Sequence, residues 1–449
     1  MTSRRQFISA ASLAGTAGVL GLTGGSRAAG EDYRALVVVY LAGGYDGHNM
    51  LLATDGGYNV YQSARQNLAL ARTSLAPLPG SAIGHTFGLH PALQPLVPLY
   101  ERKRLAFVAN VGPLVEPCTA QQVLDRAANL PPFLLSHSDQ EAIVQGWTVT
   151  DDSSGWAGRA LELLPSRLRH KLAAVTNTTQ RTLVLGRRSP VSFLDTGATS
   201  SWVGVGDLRR PDGPAMQILA QMAQSQSMNL YEAEYARTMG LLLSDSMFAA
   251  EALAKAKPPT ADFGSESQGI ALGLRGLASV LPAFKAQGLK RQVFLHHWGS
   301  FDTHTNQRGS DPSTQDAQLA VAAKALAAFD QTVRENGLDD NVVTLVMTEF
   351  GRTTRPGSGG GSEHAWGNHW FVFGGPVDGG TVIGEFPSLL LGGPDDCDPG
   401  KNGRIVPKIS TDQVAATLMH WIGLEPSQFL DVFPWLVNFD QKTVPLLRV

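Results

Sequence analysis

Seven acidic and imidazole side chains, His297, Asp302, His304, Glu349, Glu363, His364 and His369, fall within 73 consecutive positions of a chain holding only 11 histidines. Carboxylate oxygen and imidazole nitrogen together are the donor set of borderline and hard divalent metals. In Phe301-Asp302-Thr303-His304 the acid and the histidine alternate, and alternate residues of an extended segment point the same way. Glu349 sits in Met347-Thr348-Glu349-Phe350-Gly351-Arg352, and Glu363-His364 follows a Gly/Ser run at 357–361. One such residue alone is commonly structural. Three strand ends, each donating an acid or imidazole, favour a site. Arg352 has two uses open to it, pairing with Glu349 or gripping an anionic substrate.

Two earlier segments carry further candidates. Asp46 lies in Gly43-Gly44-Tyr45-Asp46-Gly47-His48-Asn49, where glycines let the backbone turn sharply and present a carboxylate. An ordinary Asp-Gly turn reads the same way. Ser136-His137-Ser138-Asp139 has the pattern of a helix start, with Ser136 as N-cap and Asp139 at the third helical position. The same position suits a nucleophilic hydroxyl, because a helix N-terminus favours an anion and a metal ion can activate the hydroxyl. Thr119, also ahead of a helical stretch, is the competing hydroxyl. The acidic run Asp396 to Asn402 has glycine at the wrong place for an EF-hand loop and reads as a turn.

The elements that must position these groups are legible. Ala35–Leu41, Leu105–Ala109, Val293–Leu295, Val342–Met347 and Phe371–Phe373 are apolar runs without polar alternation, as in strands buried on both faces of a parallel sheet. A helix capped by Ser313 is expected to run to Glu335, with Leu319, Ala322, Leu326, Phe329 and Val333 on one face. Met216 to Ala256 reads as a long helical stretch broken near Ser244, and a last helix capped by Thr411 covers Gln413–Ile422 up to Gly423. The expected architecture is one α/β domain with a mostly parallel sheet and insertions around 151–260. In such sheets ligands bind beyond the carboxyl ends of the strands, where these polar residues fall.

The composition is that of a globular protein: 449 residues, 43% hydrophobic, 17% charged, formal charge −3. No basic stripe is present, so nucleic acid is not an expected partner. Residues 1–28 read as a twin-arginine export signal: Arg4-Arg5, then a Gly-containing apolar run, then Ser26-Arg27-Ala28 as a cleavage site. Its removal leaves 33 basic and 39 acidic residues, a charge of −6. The expected location is periplasmic or secreted, with the twin-arginine machinery as export partner. No transmembrane anchor is expected after cleavage, since no other segment reads as a span. Cys118 and Cys397 are the two cysteines, either bridged or two separate thiols.

Together these segments, with Gly155-Trp156-Ala157-Gly158-Arg159, Trp366-Gly367-Asn368-His369 and Gly403-Arg404-Ile405-Val406-Pro407, resemble a bacterial family of exported proteins filed as a domain of unknown function, number 1501. That family is similar in fold to the alkaline phosphatase and sulfatase superfamily. The resemblance implies a three-layer α/β/α sandwich, up to two metal ions, and a serine, threonine or formylglycine that attacks phosphorus or sulfur. Carried over by residue, Asp46 matches the first-strand metal ligand and Ser136 the nucleophile. Asp302, His304 and His364 match the ligands of one metal, and Glu349 the acid of the pair on the other. The chain departs from the pattern in three places. The first pair is spaced Asp-x-His rather than Asp-x-x-x-His. Phe350 stands where a histidine is expected, which weakens the second site unless His137 supplies it. No Cys-x-Pro-x-Arg is present, which disfavours a conventional sulfatase and leaves a serine-type one open.

The expectation is an exported hydrolase of phosphate or sulfate esters. One or two divalent ions (Zn, Mn, Mg or Ca) would be held by Asp46, Asp302, His304, Glu349 and His364. Ser136 would attack, and Arg352 or His137 would steady the oxyanion of a small or polymeric anionic ester. The alternative is a non-catalytic periplasmic binding or assembly protein that keeps the fold. An esterase pairing Ser136 with His137 is a weaker third reading, since no Gly-x-Ser-x-Gly elbow is present.

Overall fold

A computed structural model describes residues 33–147, 152–194, 214–225, 227–265 and 269–448. The expected export signal, residues 1–28, lies outside the described residues. The core is a nine-stranded sheet. Its strands are β1 (Arg34–Leu41), β2 (Leu105–Gly112), β3 (Ala174–Thr176), β4 (Ser192–Phe193), β5 (Arg291–Trp298), β6 (Val342–Met347), β9 (Asn368–Gly374), β10 (Thr381–Gly384) and β11 (Ile409–Ser410). A separate hairpin, β7 (Arg352–Pro356) and β8 (Ser362–His364), interrupts the series. The order across the sheet is β10-β2-β9-β6-β1-β5-β3-β4, with β11 also on β2. Only β9 runs antiparallel to its neighbours.

Every residue of β2, β6 and β9 is buried, as are Ala35 to Leu41 of β1. Strands buried this way must be covered on both faces, which gives the α/β/α layering. Each fully buried valine of the Val37-Val38-Val39 run contributes about 1.5–3 kcal/mol. Helix α5 (Gly269–Ala286) packs on β5 and on α6 (Gln315–Glu335), while α7 (Thr411–Ile422) packs on β1 and β11. Among the described residues α5 is the one helix long and apolar enough to cross a membrane, which corrects the expectation of none. Its apolar face, including Leu274, Leu277, Leu281 and Phe284, is instead buried in the core.

Element boundaries differ from expectation where a neighbouring side chain takes the cap. Thr314, not Ser313, caps α6, because Ser313 closes a turn on Asp311. Ser410, not Thr411, caps α7 through a reciprocal pair with Gln413, and Gly423 ends it at φ 123. The stretch from 216 is two helices, α3 (Pro214–Ala223) and α4 (Leu230–Ala254). The break precedes Asn229, whose side chain caps α4, and Ser244 lies inside α4. The stretch around 151–260 is not all insertion, since β3 and β4 extend the main sheet. The Asp396 turn is as expected: both its carboxylate oxygens accept backbone N–H groups, from Gly392, Asp398, Gly403 and Arg404. Cys118 and Cys397 are both free thiols.

Candidate metal centre

The three central strands finish level. Tyr40 pairs in register with both His297 and Met347, and Leu41 with Trp298. The loops that follow, 42–46, 299–306 and 348–351, therefore leave the same edge of the sheet together. Their close approach requires glycine: at Gly43 (φ 106) a Cβ would stand 2.5 Å from the backbone nitrogens of Phe301 and Asp302. Opposite these loops, α2 (His137–Val144) presents its first turn. The β7–β8 hairpin closes the side, with Arg352 paired across it to His364.

Three imidazoles gather around one carboxylate oxygen. Asp302 Oδ1 lies 3.0 Å from His304 Nε2, 3.2 Å from His364 Nε2 and 3.4 Å from His137 Nε2. The Nε2 atoms of His304 and His364 are 3.0 Å apart. Each ring is oriented from behind through Nδ1. His364 Nδ1 donates to the Leu135 carbonyl at 2.7 Å, His137 Nδ1 to Glu349 Oε1 at 2.8 Å, and His304 Nδ1 to Glu363 Oε2 at 2.7 Å. Those acceptors fix the ring hydrogen on Nδ1, so in the neutral ring each Nε2 presents a lone pair. Lone pairs facing one another at such distances repel unless protons or a cation sit among them. Donors about 2.0 Å from a tetrahedral ion are separated by roughly 3.3 Å, and the four separations just given lie near that value. The set whose donor atoms all lie within 4.8 Å of one another is His137, Asp302 and His364, with His304 beside it rather than in it. The residues present therefore fit a divalent ion.

The electrostatics follow from the same contacts. Burial pushes the Asp302 carboxyl upward, but Arg352 at 2.5 Å and the neighbouring histidines outweigh it and hold the group at about 2. Hydrogen bonding to Glu349 raises His137, whereas burial lowers His364. Burial also works against ionised Glu349, yet His137, Thr348 and the Gly43 N–H together hold it below its ordinary range. Phe350 is buried and lies against the rings of His137 and His364, with centroids 4.7 Å away in each case. It contributes no donor and supports the two rings that do.

The structure thus brings together Asp302, His304 and His364 and adds His137. It places the other sequence candidates differently. Glu349 stands behind His137. Its oxygens are taken by His137, the Gly43 N–H (2.8 Å), Tyr40 Oη (3.1 Å) and Thr348 Oγ1 (2.8 Å), so no oxygen faces the centre unpartnered. Asp46 is fully buried in an ion pair with Arg65, at the end of helix α1 (Gly57–Arg65), and accepts from Gln307 Nε2 at 2.6 Å. Gln315 brackets the Asp46 main chain from α6. The guanidinium on Oδ2 balances the charge of Asp46, while its Oδ1 is buried with no partner among the described residues. Arg352 neither pairs with Glu349 nor is free for a substrate. It is buried, and its three nitrogens bond the carbonyls of Gly43, Gly44, Phe301 and Ser362 as well as Asp302. Ser136 is the N-cap residue of α2, but its hydroxyl donates to Asp139 Oδ2 rather than capping the helix backbone. Thr119 instead makes a full capping box with Gln122.

Sequence reasoning missed Arg65, Gln307 and Gln315. A helical arginine and two glutamines carry no local mark of burial, so nothing in the pattern singles them out.

A mostly parallel α/β sheet with a His/Asp group at its carboxyl edge defines a protein with a candidate mononuclear metal centre. The chain belongs to the family described as protein of unknown function DUF1501, whose pattern matches residues 33–431. No curated protein matches the chain. Several solved structures are similar at low level. The lipoteichoic acid synthase LtaP from Listeria monocytogenes is 8% identical with a TM-score of 0.35, over 92% of this chain and 76% of that one. The C-terminal periplasmic domain of EcEptC from Escherichia coli, in complex with zinc, is 11% identical with a TM-score of 0.36, over 90% and 85%. The sulfatase PsFucS1 from Pseudoalteromonas sp. is 12% identical with a TM-score of 0.32, over 86% and 72%.

Proposed function

We propose that the protein is an exported metal-dependent hydrolase of phosphate or sulfate esters. The observation that carries this reading is the convergence of three imidazole Nε2 atoms on one oxygen of Asp302 at the edge of the sheet. When bound there, a divalent ion supplies Lewis acidity toward an ester oxygen. The chain's own groups do the rest. Glu349, Glu363 and the Leu135 carbonyl hold the three rings in the tautomer that faces the centre. Arg352 fixes the Asp302 oxygen and ties the Gly43-Gly44 and Phe301 loops to it. Ser136 precedes the ligand His137 in the chain and is partly exposed. Its hydroxyl hydrogen is directed to the Asp139 carboxylate, which suits a nucleophile whose proton has an acceptor at hand.

One observation favours a second reading. His304 brings a further protein donor within 3.0 Å of Asp302 and of His364, and a full set of protein donors is the arrangement of structural ions. In that case the protein binds or assembles without turnover. Screening aryl phosphate monoesters, diesters and sulfates with Zn²⁺, Mn²⁺, Mg²⁺ and Ca²⁺ separates the two. Turnover that vanishes in Ser136→Ala while metal content is kept supports the hydrolase. A stoichiometric ion with no turnover on any ester supports the structural reading.

A further inference from the structure

If the centre acts on esters, as proposed above, the place beside the three mutually close donors that His304 fills has to be given up to the substrate oxygen, since catalytic sites keep a position open. We propose that His304 is the exchangeable donor, and that His137, Asp302 and His364 form the permanent set. The three histidines differ in what holds them from behind. His137 leans on Glu349, whose side chain is 2% exposed and held by three further donors. His364 leans on a main-chain carbonyl, that of Leu135, just ahead of α2. His304 leans on Glu363, whose side chain is 53% exposed; its own exposure of 38% is close to the 34% of His137, so the contrast lies in the anchor. An ion pair so open to water holds its partners weakly. The rings of His137 and His364 also pack on buried Phe350 and on each other, whereas His304 has only the His364 ring beside it.

The backbone around His304 is fixed, so the exchange is a side-chain rotation. Asn306 and Gln307 donate their N–H groups to Gly359 and Gly360 of the hairpin turn. A Cβ at Gly361 would stand 2.1 Å from the Thr303 carbonyl oxygen, so the hairpin lies directly on this loop. The anchor Glu363 belongs to that hairpin and the ligand His304 to the loop beneath it. His304 therefore screens the centre until an oxyanion of the substrate displaces it, and the exposed contact with Glu363 is what the rotation gives up.

The test uses the full mature chain loaded with Co²⁺, whose visible absorption reports the number of donors, and inorganic phosphate as the probe. His304→Ala is expected to keep one Co²⁺ per chain, to change its absorption spectrum, and to bind phosphate about tenfold more tightly, because the competing donor is gone. Glu363→Gln, an exposed change that spares the fold, is expected to tighten phosphate binding about threefold by loosening the ring. His364→Ala serves as comparator and is expected to lose the ion. If His304→Ala loses the ion as His364→Ala does, or if phosphate binds both variants no better than the wild type, His304 is not the exchangeable donor. Such a result leaves the metal centre standing. A wild-type chain that takes up no Co²⁺ overturns both this proposal and the functional reading beneath it.

Discussion

Two carboxylates of this chain follow apolar strands into glycine-containing loops, and the structure gives them opposite fates. Asp302 leaves β5 with one oxygen facing three imidazole nitrogens. Asp46 leaves the neighbouring β1 and is fully buried against Arg65, with Gln307 on the same oxygen. The difference lies in which cation is near. A buried guanidinium balances the charge of Asp46 through Oδ2, while Oδ1 is left without a partner among the described residues. Asp302 also touches a guanidinium, that of Arg352, but remains 39% exposed and keeps the histidines around it. A carboxylate at a strand end thus becomes a candidate ligand through what surrounds it, and its own position settles little.

The comparison can be broken most forcefully at the centre. Asp302→Ala and His364→Ala each remove a donor and are expected to reduce metal affinity by more than about 100-fold, since even second-shell changes reach 10–100-fold. Equilibrium dialysis with elemental analysis measures this. Asp46→Asn is expected to act on stability instead. It leaves Arg65 buried without its partner, at a cost of about 3–5 kcal/mol in urea unfolding, while metal content stays the same. A finer test is Glu349→Gln, which keeps the shape but weakens the hold on His137 Nδ1. It is expected to lower metal affinity about 10–100-fold without emptying the site at saturating ion.

The smallest effect concerns pH. In the metal-free protein Asp302 is held at about 2, below its ordinary value near 4. A depressed carboxyl contributes stability that is fully present above the unfolded value and is lost as pH falls through the folded one. The wild type should therefore lose a little stability between about pH 4 and 2 that Asp302→Asn does not. Urea midpoints at pH 5 and 3 compare the two.

Much of the frame was legible because apolar runs without alternation permit few arrangements. The five strands, the α6 face from Leu319 to Val333, and the placing of Asp302, His304 and His364 at one sheet edge all followed from that pattern. The closure of individual charges was not legible. Arg65 lies 19 positions after Asp46 on a helix, and Gln307 comes 261 positions after it. No periodicity joins them. His137 stood out in the sequence as a residue beside Ser136, but its role depends on Glu349, 212 positions on. Phe350 looked like a missing ligand, because the sequence could show only that a donor was absent. In the fold it is the floor beneath two rings that supply donors from elsewhere.

The central claim is that the centre is built from His137, Asp302, His304 and His364 and excludes Asp46. Metal content per chain, measured on wild type, Asp46→Asn and His364→Ala purified side by side, tests it most directly. The account predicts one ion per chain in the wild type and in Asp46→Asn, and none in His364→Ala. A folded wild type indifferent to added Zn²⁺, Mn²⁺ or Ca²⁺, or an Asp46→Asn chain that loses its ion as completely as His364→Ala, would contradict it.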